Sequence, residues 1–163
     1  MGESETPGKL ALVAWSDDLD KAWPVLILAT TGVAAGMDVS IFFTFWGLRL
    51  LQRNDKRMTG KNWMQKMLSI FNRGGADNLK LHKLNFAGMG PWMMHKLAKE
   101  HGVASPQELL ELAREAGVRL VPCQMTMDLM GISREDMIDG IEQPAGAMSA
   151  ILEMQEAKAT LFI

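Results

Sequence analysis

Apolar residues along this chain switch between a strand-like and a helix-like period. Lys9-Leu-Ala-Leu-Val-Ala-Trp15 is an apolar run closed by Ser16-Asp17-Asp18, which predicts a buried strand followed by a helix cap. From Leu19 to Gly36 the apolar positions Ala22, Val25, Leu26, Ala29, Val33 and Ala34 recur at helical spacing. Pro24 falls in the early turns of that helix, where a missing N–H is tolerated. Gly32 and Gly36 point to close packing and a C-terminal stop. Asp38-Val-Ser-Ile-Phe-Phe-Thr44 then reads as a strand buried on both faces. Strand, helix and strand within roughly 40 residues make a βαβ unit, normally right-handed.

The second half repeats the alternation. Gly88-Met-Gly-Pro-Trp-Met-Met-His95 opens a helix with Pro91 in its first turn. Ser105-Pro-Gln-Glu108 has capping-box spacing, with Leu109, Leu112 and Ala116 on the inner face and Gly117 as the stop. Val118 to Pro122 is a third strand leading into Cys123. After a Met-rich turn, Arg134 to Asp139 reads as a short capped helix, Ala145 to Ala157 as the last long helix, and Ala159 to Ile163 as a closing strand. With no repeat or dividing linker, these elements describe one α/β domain.

Two stretches depart from this alternation. From Trp23 to Leu51 only Asp38 and Arg49 carry charge, a length that could cross a bilayer. Gly36-Met-Asp38 interrupts it, and an Asp at the bilayer centre costs roughly 2.5–3.5 kcal/mol. A buried helix followed by a central strand is therefore favoured over a membrane hairpin. Between about residues 49 and 78, Arg49, Arg53, Lys56, Arg57, Lys61 and Lys66 interleave with Trp63, Met64, Met67, Ile70 and Phe71. This basic, aromatic insertion reads first as a solvated helical excursion, with peripheral membrane contact or a docking arm as alternatives. Arg73-Gly-Gly-Ala-Asp77 closes it with a turn.

Composition narrows the function. A chain of 163 residues supports one sizeable core. A net charge of −2 sets up no field that calls for nucleic acid. The polar, acidic start Met1-Gly-Glu-Ser-Glu-Thr-Pro-Gly does not resemble a secretory signal. One cysteine excludes an intramolecular disulfide and fits a reducing cytoplasm or a thiol kept for chemistry. Fourteen methionines and no tyrosine suggest a plastic core, or else a polarizable wall around sulfur chemistry.

That cysteine, Cys123, is the chemical candidate. It sits where an apolar strand gives way to a helix, the edge at which open α/β sheets place ligands. Free N–H groups at a helix start favour a thiolate in general, and the thiolate is the nucleophile. The competing reading is an inert core thiol. Met125, Met127 and Met130 could wall the thiol, although some must face the core; Asp128 reads as structural. Thr44, at the end of its strand, and Gly90 and Trp92, at the Gly-rich helix start, are further pocket candidates. The spacings of His82, His95 and His101 match no metal-ligand pair, so no metal is expected. Neither a P-loop nor G-x-G-x-x-G is present, so no nucleotide or other cofactor is expected.

Around these residues the chain resembles a known family. Val121-Pro-Cys-Gln-Met-Thr-Met-Asp-Leu-Met-Gly-Ile132, Arg134-Glu-Asp-Met-Ile-Asp-Gly140 and Ala157-Lys-Ala-Thr-Leu-Phe-Ile163 are similar to segments of the DsrE/DsrF-like sulfur-relay family, in its peroxiredoxin-like branch. Ile41-Phe-Phe-Thr-Phe-Trp-Gly-Leu48 and Gly88-Met-Gly-Pro-Trp-Met-Met94 resemble it too. The resemblance implies a single-domain, three-layer α/β/α fold with a mainly parallel sheet, wound like flavodoxin. It also implies homo-oligomeric assembly and a cysteine that accepts sulfur as a persulfide. That cysteine maps to Cys123 in the Cys-x-Met-x-Met-Asp pattern, with Gln124, Met125, Met127, Thr44, Trp92 and Gly90 in support. Some members use a second cysteine nearby, which this chain lacks. No Thr-x-x-Cys peroxidatic motif is present, so peroxidase activity is not expected.

The expected protein is a cytoplasmic sulfurtransferase or sulfur carrier, exchanging sulfur with partner proteins or small sulfane-sulfur compounds. Its main rival is a non-catalytic oligomeric scaffold, membrane-associated through the basic insertion around Arg53, Lys56 and Arg57. A flavodoxin-like cofactor binder is a third reading, weakened by the missing phosphate loop.

Overall fold

The computed structural model describes residues 8–54, 63–64, 75–76, 79 and 89–163. Most of the basic insertion (including Lys56 and Arg57), the acidic start, His82 and Gly88 lie outside these residues. Four strands form an all-parallel sheet in the order β3-β2-β1-β4: β1 Lys9–Ala14, β2 Asp38–Phe43, β3 Arg119–Pro122 and β4 Ala159–Phe162. Among the described residues the α-helices are α1 Leu19–Ala34, α2 Met89–Glu100, α3 Pro106–Glu115, α4 Gln124–Met130 and α5 Ala147–Glu156. The expected α/β fold with a mainly parallel sheet is what the chain adopts. No helix among the described residues is long and apolar enough to cross a membrane. The Trp23–Leu51 stretch instead supplies most of α1, all of β2 and a 3-10 helix.

Alternation along the strands separates the two faces of the sheet. Leu10, Leu12 and Ala14 of β1, Val39, Ile41 and Phe43 of β2, and Leu120 of β3 join one apolar core with Leu19, Val25, Leu26 and Ala29 of α1. Helix α3 adds Leu109, Leu110 and Ala113 to the same core. Gly32 lets α1 lie directly on the sheet: a Cβ there would come within 2.8 Å of Leu10 and 3.0 Å of Val39. Helix α3 begins with the expected capping box, Ser105 Oγ accepting from Glu108 N–H at 3.3 Å while Glu108 accepts from Ser105 N–H at 2.7 Å. That second bond holds the Glu108 carboxyl below its usual range.

At the carboxyl end of β2 the chain turns sharply. Thr44 N–H donates to Ala14 O at 3.0 Å, and Phe45 takes a left-handed conformation, φ +48°, rare for a residue with a side chain. The 3-10 helix Phe45–Leu51 then presses onto the end of β1. Only glycine fits at position 47, because a Cβ would lie 2.1 Å from Ala14 O. Arg49, the first cation assigned to the basic insertion, is buried and ion-paired with Asp17. Leu48, Leu50, Leu51 and Gln52 are buried beside it, so the folded core continues past the expected start of the insertion. Arg53 is also engaged, with Met137 O at 3.0 Å and Asp139 at 3.1 Å.

Candidate functional site

Strand β3 is short, and its alternation decides where the thiol lies. Leu120 faces the α1–α3 core, whereas Arg119 and Val121 face the opposite side. Cys123 is still extended (φ −77°, ψ 115°) and continues the alternation onto that opposite face. Cys123 is 2 % exposed, yet it stands apart from the main core cluster, as do Ala11 and Val13 on the same face. A buried cysteine is thus present, but at the carboxyl edge of the sheet rather than inside the principal core.

Backbone hydrogen bonds on both sides fix the position. Cys123 N–H donates to Phe43 O at 2.9 Å, continuing the parallel ladder beyond β2. On the other side, the segment from Glu142 to Ala145 runs beside β3. Glu142 N–H donates to Leu120 O and Ala145 N–H to Pro122 O, both at 2.9 Å, and Gln124 N–H returns to Ala145 O at 3.0 Å. Cys123 and Ala145 form a parallel bridge. Cys123 is also the N-cap residue of α4, and Met127 N–H donates to Cys123 O at 3.0 Å. With Gln124 N–H used by Ala145, the first-turn N–H groups of Met125 and Thr126 are those for which the helix provides no internal acceptor.

Thr126 connects α4 to β2. Its hydroxyl lies 3.2 Å from Thr44 Oγ1 and accepts from Phe45 N–H at 3.2 Å. The buried Thr126 therefore ties the first turn after Cys123 to the strained corner after β2. Sequence reasoning named Thr44 but passed over Thr126 and Phe45. The available signal was a threonine one turn beyond the cysteine, in Cys-Gln-Met-Thr.

The other candidates separate by face. Met127 and Met130 are buried in the main core and anchor α4, whereas Met125 is 64 % exposed. The three methionines do not make one wall around the thiol. Gln124 Nε2 donates to Asp128 Oδ1 at 2.8 Å across one exposed turn, a structural use of that acid. Gly90 and Trp92 lie on α2, where Lys96 Nζ sits 5.5 Å over the Trp92 ring and the His95 ring lies tilted against Trp23 at 5.5 Å. Those contacts direct α2 toward α1, and none of the described hydrogen bonds or ring contacts joins Gly90 or Trp92 to α4. Among the described residues no group of three His, Cys, Asp or Glu side chains is placed to hold a metal ion.

The arrangement suits exchange chemistry at sulfur. A thiol at the carboxyl edge of a parallel sheet can attack a sulfane donor, and low exposure would protect the product from stray thiols. With one cysteine in the chain, any sulfur exchanged at this thiol would come from and go to another molecule.

Fold and site together define a small α/β domain whose single thiol lies at the carboxyl edge of an all-parallel sheet. The chain belongs to the DsrE/DsrF/DrsH-like family, whose model matches residues 6–162. It is 38 % identical over 160 residues to the uncharacterized protein YrkE of Bacillus subtilis, covering 98 % of this chain and 99 % of that one. It is 37 % identical over 158 residues to the sulfur carrier protein DsrE2 of Allochromatium vinosum, covering 95 % and 98 %. The fold is similar to YchN of E. coli (TM-score 0.59, 16 % identity, 96 % and 99 % covered). It is also similar to MTH1491 of Methanobacterium thermoautotrophicum (TM-score 0.55, 11 % identity, 96 % and 99 % covered).

Proposed function

We propose that this protein is a sulfur carrier or sulfurtransferase that holds sulfane sulfur as a persulfide on Cys123 and passes it to an acceptor thiol. The observation that carries the reading is the position of the chain's single cysteine, at the carboxyl end of β3. Near full-length similarity to a sulfur carrier protein supports it. Thr126, bonded to Thr44 and Phe45, holds the turn after Cys123 in place while sulfur is exchanged. Donor and acceptor are other proteins or small sulfane-sulfur compounds, met in a reducing cytoplasm.

Homo-oligomeric assembly is part of the proposal. Met148, Ile151 and Leu152 on α5, Leu161 and Phe162 on β4, and Trp15 stacked on Phe162 at 6.4 Å leave much apolar surface exposed. Exposed apolar residues gathered in this way mark an interaction surface, and a second copy of the chain is the proposed occupant.

Mass spectrometry after incubation with polysulfide tests the carrier. The wild type gains a sulfur increment that dithiothreitol removes, and Cys123→Ser gains none. An unmodified wild type, or an adduct that persists in Cys123→Ser, rejects the proposal.

A further inference from the structure

A cavity of about 250 Å³ opens between α5 and the sheet face that carries Cys123. Pockets for drug-sized ligands span roughly 300–1,000 Å³, so this one fits a smaller molecule. Its floor is built in rows by the parallel register, Ser40 beside Arg119 and Phe42 beside Val121. The next residue of β3's alternation on the same face is Cys123, about 7 Å further along the strand. Ala145, which lines the cavity, is also the bridge partner of Cys123. The cavity thus ends one row short of a thiol that is otherwise almost closed to solvent.

Its lining combines an apolar wall with a few polar and charged groups. Ala11, Phe42, Val121, Ala150 and Met154 supply apolar wall. Among the described residues Arg119 is the one cation in the lining, which also holds two carboxylates, Glu142 and Glu153. It is committed to Glu153, donating through both terminal nitrogens, and it reaches Asp38 at 3.5 Å. Glu142 stands at the exposed rim, its backbone beside Leu120. The group left to meet a ligand is therefore negative, which favours an ammonium and opposes a carboxylate or a dianion such as thiosulfate.

We propose that this cavity binds a low-molecular-weight aminothiol in its persulfide form, with its ammonium toward Glu142 and its sulfane sulfur toward Cys123. The proposal rests on the sulfur-carrier reading and names the donor class for it. The Cys123 thiolate attacks the terminal sulfur of R–S–SH, and a bond forms between Sγ and that sulfur. The donor's S–S bond breaks, and its electron pair leaves on R–S⁻, which takes up the proton released by Cys123. The products are a Cys123 persulfide and R–SH, with no external oxidant or reductant.

Three donors of similar size test it: the persulfides of cysteamine, mercaptoethanol and mercaptopropionate, with loading of Cys123 followed by mass spectrometry. In the wild type, cysteamine persulfide loads with saturation and about fivefold faster than the mercaptopropionate donor. Glu142→Gln, at an exposed rim, brings that ratio to unity without slowing the neutral donor. Ala150→Phe fills the cavity from a helix that buries none of its residues, and it turns the saturable dependence linear. Equal wild-type rates for the three donors, or a preference and saturation unchanged by both variants, overturn the cavity assignment while leaving Cys123 as the carrier. If no donor modifies Cys123, the carrier reading itself falls and the cavity proposal with it.

Discussion

The two faces of the sheet use the same strands for different ends. On one side, α1 buries seven residues and α3 four against Leu12, Ile41, Phe43 and Leu120. On the other, α5 buries none of its residues, and a cavity separates the helix from the strands. Packing against the first face supplies the apolar contacts that dominate folding free energy. The second face, relieved of that task, holds Arg119, Glu142, Glu153 and the thiol. Alternation with a period of two keeps these functions apart within single strands.

Truncation measures the difference directly. Phe43 is fully buried in the main core, and Phe43→Ala is expected to cost about 3–5 kcal/mol. Ile151, 52 % exposed on α5, is expected to cost less than about 0.5 kcal/mol in Ile151→Ala. Urea denaturation at low protein concentration reads both. Comparable losses would erase the distinction between the faces. If the gap widens at low concentration and narrows at high concentration, α5 is stabilised by a second copy, which sharpens it.

The first face was legible in the sequence because its signals are local. Helical spacing from Ala22 to Ala34, the Ser105–Glu108 box and the apolar run before Cys123 each required their element whatever its neighbours did. The second face depended on what lay opposite. Nothing in Glu142-Gln-Pro-Ala145 resembles a strand, yet its backbone extends the sheet beside β3 and closes over Cys123. Arg49 read as a solvated cation because arginine usually is one, and only the fold brings Asp17 to it. The direction of the thiol was likewise hidden, since alternation names two faces but not which one is covered.

The Arg49–Asp17 pair lies where the faces meet, joining the 3-10 helix to the loop after β1. Its side chains are 6 % and 15 % exposed, so losing one partner strands charge in a poorly solvated place. Asp17→Ala is expected to cost roughly 2–3 kcal/mol, somewhat below the loss at a fully enclosed pair. Thermal unfolding at low and high salt checks it. A loss that high salt abolishes would mark the pair as an ordinary surface contact and would move this edge to the open side of the comparison.

A small effect is expected at the ion pair that borders the cavity, and its sign follows from linkage. Hydrogen bonding from Arg119 holds the Glu153 carboxyl below its ordinary value of 4.5, against the opposing pull of desolvation. Arg119 is correspondingly raised, first by the same bond. A carboxyl depressed in the folded state contributes stability above its unfolded value, and that contribution disappears as pH falls through the folded value. Both side chains retain substantial contact with water, so screening limits the gain to less than about 1 kcal/mol. Glu153→Gln should therefore lower the unfolding temperature slightly at neutral pH, and the difference from wild type should shrink as pH drops below 4.5. A difference that stays constant with pH would show that Glu153 acts through packing rather than charge. The open face would then owe its order to shape, as the closed face does.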